Sequence, residues 1–94
     1  MRACRTDANH SEVIAAFRKF GCSVLPIHTL KNCGDAIVAK CNKTAIIEIK
    51  DGKKTASQKK LTKGESAFFE KWQGIYVVVE DLEDVINLVK ALEK

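Results

Sequence analysis

The chain has 94 residues, 46% of them hydrophobic and 30% charged, with one Pro and five Gly, which fits one ordinary globular domain spanning 1–94 and excludes collagen-like and Pro-rich disordered classes. Sixteen Lys and Arg against twelve Asp and Glu give a net charge of +4. No apolar run approaches the length of a membrane span, and the basic start Met1-Arg2-Ala3-Cys4-Arg5 is not followed by an apolar stretch, so neither membrane insertion nor a secretory signal is expected and the location implied is cytoplasmic.

Asp7 or Asn9 can cap a first helix over residues 8–20, whose apolar residues Val13, Ala16, Phe17 and Phe20 recur at i, i+3, i+4 and i+7 before Gly21. Residues 22–28 follow as a short extended run, with Pro26 marking an edge position or a strand end because it has no amide to donate. A polar loop over Lys31–Gly34 leads into a strand from Asp35 to Cys41. Asn42-Lys43 reads as a tight turn before the β-branched strand Thr44–Lys50. Asp51-Gly52 ends that strand, and the Lys-rich stretch to about Leu61 has no apolar period.

Thr62-x-x-Glu65 has the form of a capping box opening a second helix with Phe68, Phe69 and Trp72, closed by Gly74. The run Ile75–Val79 reads as a strand covered on both faces. Asp81 starts a last helix with Leu82, Val85, Ile86, Val89 and Leu92 on one stripe. The order α-β-β-β-α-β-α predicts an α/β chain built on a mixed sheet flanked by helices. Phe17, Phe20, Phe68, Phe69, Trp72 and Tyr76 fall on helix stripes or in the covered strand and are expected in the core. Cys4, Cys22, Cys33 and Cys41 contain no CxxC pair, which favours reduced thiols over disulfides or a zinc site.

Charge is unevenly spread. From Lys50 to Lys63 there are six lysines, at 50, 53, 54, 59, 60 and 63, against Asp51 alone, whereas the segment from Glu80 to Lys94 has five acids against two lysines. Lys53, Lys54, Lys59, Lys60 and Lys63 suit contacts with a phosphate backbone, although a solvated loop has the same composition.

A turn at Asn42-Lys43 places Asp35 opposite Lys50 and Ile37 opposite Glu48, so that Asp35, Glu48 and Lys50 share one face at one end of the strand pair. Two carboxylates and a lysine at a covered sheet end are costly to desolvate unless they pair or bind a cation. Sequence alone leaves two readings open: an ion-pair cluster, or a site where Mg²⁺ bound by Asp35 and Glu48 activates water while Lys50 stabilises charge.

Gly34-Asp35, twelve intervening residues and then Glu48-Ile49-Lys50 resemble the PD-(D/E)XK nuclease signature, and the element order is similar to that superfamily's restriction-endonuclease-like α-β-β-β-α-β core, here with a C-terminal helix. The stretch from Gly34 to Lys54, together with Leu61-Thr62 and Phe68-Phe69-Glu70-Lys71-Trp72-Gln73-Gly74-Ile75-Tyr76-Val77-Val78, more closely resembles the small stand-alone VRR-NUC nucleases of phages. This resemblance implies a Mg²⁺- or Mn²⁺-dependent endonuclease acting on duplex or branched DNA, as a homodimer and without a small-molecule substrate. It implies that Asp35 and Glu48 are metal ligands, that Ile49 offers its carbonyl, that Lys50 orients the attacking water and that Glu12 is an additional ligand. Two departures stand out: Cys33-Gly34 replaces the usual Pro before the first acid, and Glu65 stands where Gln is common. A rival reading, a non-catalytic double-stranded RNA-binding module using Lys53-Lys54-Thr55-Ala56, fits an α-β-β-β-α order but leaves residues 75–94 unexplained.

Overall fold

A computed structural model describes residues 9–51 and 61–94. Seven elements occur among them: α1 (His10–Lys19), β1 (Ser23–Pro26), β2 (Ala36–Lys40), β3 (Lys43–Ile49), α2 (Lys63–Lys71), β4 (Ile75–Val79) and α3 (Leu82–Leu92). The fold is a mixed α+β arrangement with a four-stranded sheet in the order β1-β2-β3-β4. β1 to β3 form an antiparallel meander, and β4 returns parallel to β3 after α2. No described helix is long and apolar enough to cross a membrane.

Alternation along the strands sends Ala36, Val38, Ala45, Ile47, Ile49 and Val79 to one face of the sheet, where α1 supplies Val13, Ile14 and Phe17. α3 adds Val85, Leu88, Val89 and Leu92 to the same core. The predicted stripe on α3 is therefore rotated slightly: Leu88 is buried, while Leu82 is exposed and Ile86 half-buried. Because β4 and α3 belong to this core, the chain is not an α-β-β-β-α unit with an appended tail. β1 is an edge strand and pairs Pro26 with Ala36, as the missing proline amide requires.

Local chemistry sets the helix ends. Thr62 and Glu65 form both bonds of the capping box, Glu65 N–H to Thr62 Oγ1 at 3.1 Å and Thr62 N–H to Glu65 Oε1 at 2.9 Å. Asp81 caps α3 by accepting from the Asp84 amide at 3.0 Å. Asn9, in contrast, does not cap α1 with its side chain. Its amide nitrogen donates to the carbonyls of Lys50 at 3.1 Å and Glu80 at 2.8 Å, tying the start of α1 to the residues that follow β3 and β4. Asp7, the other predicted cap, lies outside the described residues.

Three expectations are corrected. The hairpin turn is Cys41-Asn42, both left-handed with φ of 57° and 65°, and not Asn42-Lys43. The pairing is consequently Ile37 with Ile46 and Lys40 with Lys43, so that Asp35 is not opposite Lys50 and Ile37 is not opposite Glu48. Both patterns keep odd-numbered residues of β2 on the face of even-numbered residues of β3, so the shared face survives the shift. The second face is also less covered than predicted. α2 buries no residue, Phe69 and Trp72 are exposed, and Val78 is half-buried. Phe20, the C-cap of α1, is exposed too. Of the aromatics placed in the core, Phe17 and Tyr76 are buried and Phe68 is half-buried.

Candidate active site

Gly34 prepares the entry to β2. Its φ is +98°, and a Cβ there would lie 2.6 Å from Ile46 Cγ2 and 3.1 Å from the Ile47 carbonyl oxygen, so a residue with a side chain is excluded by both conformation and space. This close approach brings Asp35 against β3 one step beyond the last ladder pair, Ala36 with Ile47. The Asp35 amide donates to the Ile47 carbonyl at 2.8 Å. Its carboxylate Oδ2 accepts from the Ile49 amide at 2.7 Å.

Between those two anchors sits Glu48, only 5% exposed and the one buried charged residue among those described. Tyr76 on β4 donates to Glu48 Oε1 at 3.5 Å, and Lys50 Nζ lies 3.6 Å from Glu48 Oε2. Lys50 Nζ also lies 3.4 Å from Glu65 Oε1 of α2. The same Glu65 oxygen thus closes the capping box and faces the lysine. Asp35, Glu48, Lys50, Glu65 and Tyr76 form one cluster where α2 leans over the sheet.

Electrostatics in this cluster favour a proton. Burial pushes the Glu48 carboxyl up to about 8, the negative charges of Asp35 and Glu65 push in the same direction, and Lys50 offsets only part of this. A hydrogen bond between the Glu48 and Asp35 carboxyls adds to the rise. The Tyr76 hydroxyl is raised as well, by burial first and then by the Glu48 charge. Glu48 therefore favours its protonated form far more than an ordinary carboxyl does. A divalent ion can replace that proton, because Mg²⁺ needs only one or two carboxylates and keeps several of its waters.

The other predicted site residues are placed differently. Ile49 turns its side chain into the core and gives its amide to Asp35. Glu12 is exposed and lines a separate cleft with Asn9, Asp51, Glu80 and Asp81, and it is not among the charges acting on Glu48. Lys63 is exposed at the first position of α2. Lys53, Lys54, Lys59 and Lys60 lie outside the described residues. As a site residue, Glu65 stands out in the sequence only as a departure from the resembled family, and Tyr76 not at all. The capping box was the available signal for Glu65, whereas nothing in the apolar run Ile75–Val79 marks Tyr76 as facing a carboxyl.

No three His, Cys, Asp or Glu side chains are grouped to enclose a metal ion among the described residues. Comparison with protein-family models, with curated proteins and with solved structures finds no match for this chain.

Proposed function

We propose that the chain is a Mg²⁺- or Mn²⁺-dependent endodeoxyribonuclease of the PD-(D/E)XK type, similar to the VRR-NUC nucleases. The observation that carries this reading is the juxtaposition of a buried Glu48 with Asp35 and Lys50 at one sheet end. An ion-pair cluster built only for stability has little reason to set Glu48 beside both Asp35 and Glu65 with Lys50 to offset them. The element order α-β-β-β-α-β followed by a helix supports this reading as the order that the resemblance implies.

In this reading Asp35 and Glu48, with the Ile49 carbonyl, hold the cation. When bound, the ion supplies Lewis acidity that makes water a better nucleophile and offsets phosphate charge. Lys50 orients the attacking water and stabilises negative charge gathering on the phosphate. The water oxygen forms the new P–O bond and gives up a proton to solvent, the ester P–O bond breaks, and the departing sugar oxygen takes up a proton from solvent. Asp35 also fixes the Ile49 amide and so the backbone that presents Glu48. Glu12 is not needed in this ligand set. The Lys-rich segment supplies phosphate contacts, and branched DNA and a homodimer belong to the proposal through the resemblance alone.

The test is cleavage of linear, nicked and four-way-junction DNA by the purified protein with Mg²⁺, Mn²⁺ or EDTA. Products that need the divalent ion are expected. An inert protein under all metal conditions overturns the reading.

A further inference from the structure

Aromatic side chains gather where α2 meets β4, and the sheet leaves several of them uncovered. Phe69 and Trp72 are each 42% exposed, an unusual state for two large aromatics three residues apart and a sign of a contact surface. The indole of Trp72 is held in place. Its Nε1 donates to the Ile75 carbonyl at 3.2 Å, and the Phe68 ring lies against it with centroids 5.6 Å apart and planes 23° apart. A Cβ on Gly74 would come within 2.8 Å of Nε1, so glycine at 74 makes room for the ring.

This surface is continuous with the acidic cluster. Phe68 and Phe69 contact the Tyr76 ring at centroid distances of 5.8 and 4.9 Å, and the Tyr76 hydroxyl reaches Glu48. The chain entering α2 carries six lysines against one acid between Lys50 and Lys63. The sequence joining β3 to α2 is thus strongly basic, and α2 carries the aromatic surface next to the candidate site. Single-stranded nucleic acid combines the two matching features, a charged backbone and bases with free π-faces. Intact duplex offers the charge but keeps its bases stacked inside.

We propose that Trp72, supported by Phe68 and flanked by Phe69, is a stacking shelf for an unpaired base of single-stranded or branched DNA bound at the Asp35–Glu48 site. This rests on the nuclease reading and narrows its substrate to DNA with unpaired nucleotides beside the scissile phosphate. The held indole lowers the entropic cost of binding, since little side-chain freedom is left to lose.

Trp72 is the only tryptophan of the chain, so its intrinsic fluorescence reports the contact directly. The experiment titrates the full chain, in EDTA to prevent cleavage, with oligothymidylate of about 12 nucleotides and separately with relaxed circular duplex. Binding is followed in parallel by the anisotropy of labelled DNA. Oligothymidylate is expected to quench Trp72 in step with binding, and the duplex to bind without comparable quenching. Trp72→Ala should weaken oligothymidylate binding roughly ten-fold or more, with duplex binding unchanged, and Trp72→Phe should restore most of the affinity.

Oligothymidylate binding without quenching, equal quenching by both DNAs, or full affinity in Trp72→Ala overturns the shelf while leaving the nuclease reading to the cleavage assay. Self-association that Trp72→Ala abolishes assigns the surface to a second copy and likewise overturns it. Absence of any DNA binding removes the shelf and the nuclease reading together.

Discussion

Asp35 brackets Glu48: its amide donates to the Ile47 carbonyl at 2.8 Å and its carboxylate accepts from the Ile49 amide at 2.7 Å. The peptide units on both sides of Glu48 are thereby fixed by one residue of the neighbouring strand. The backbone carrying Glu48 cannot move away from Asp35 without breaking those bonds, and each is worth about 1 kcal/mol, more where the acceptor is charged. The two acids stay together even though burial and mutual repulsion oppose ionisation of both.

The first prediction is a pH dependence of stability in metal-free protein. The folded state holds the Glu48 proton up to about pH 8, whereas the ordinary value is 4.5. Between these limits the folded state binds more protons than the unfolded one, so stability falls as pH rises and the loss is complete above pH 8. The loss attributable to Glu48 is on the order of a few kcal/mol. Denaturant midpoints in EDTA at pH 5, 7 and 9 should decrease in that order, and Glu48→Gln should remove most of this decrease. A wild-type slope retained in Glu48→Gln would assign it to other groups.

Gly34→Ala should lower both stability and activity. A methyl group at this position meets Ile46 and the Ile47 carbonyl, and the backbone at φ +98° is strained for alanine. A cost of about 1–3 kcal/mol is expected, read as a shift in the urea midpoint. Any relief of the clash moves Asp35 relative to Glu48, so cleavage at saturating metal should fall more than the folded fraction does.

The arrangement of the acids was legible because parity, not the exact turn, decides which side chains share a face. Asn42-Lys43 and Cys41-Asn42 are both two-residue turns, and both leave Asp35, Glu48 and Lys50 on one side. Asn42 adopts the left-handed region readily, but cysteine at 41 gives no signal that it does so. The capping box at Thr62 and Glu65 is local and could be read directly, whereas the approach of Glu65 to Lys50 depends on how α2 docks. The periodicity of Phe68, Phe69 and Trp72 defines a stripe without saying what covers it. Likewise, the unbroken apolar run of β4 hides that Tyr76 faces Glu48 while Val79 enters the main core.

Asp35→Asn and Glu48→Gln should each abolish cleavage while leaving DNA affinity equal or higher, because removing a negative charge lessens repulsion of phosphate. Metal-free binding measured by anisotropy, alongside circular dichroism to check folding, separates this outcome from misfolding. A joint loss of binding in well-folded variants would mean that the acids contribute to DNA recognition and not to hydrolysis.

Replacing Lys53, Lys54, Lys59 and Lys60 with Ala should weaken binding to all duplex sequences alike. For every phosphate left without its lysine, the slope of log affinity against log salt should become shallower by about 0.9. An unchanged slope would shift phosphate binding to other basic residues, Lys63 and Lys31 among them.

Calorimetric titration of Mn²⁺ into the wild type and into Glu48→Gln at pH 7, in buffers of different ionisation enthalpy, tests the shared cation site most directly. Wild-type protein should bind Mn²⁺ and release a proton as it does so, because the ion displaces the proton that burial favours on Glu48. Glu48→Gln should bind at least ten-fold more weakly and without that release. Mn²⁺ binding that is absent from the wild type, or that is unchanged in Glu48→Gln, would contradict the account.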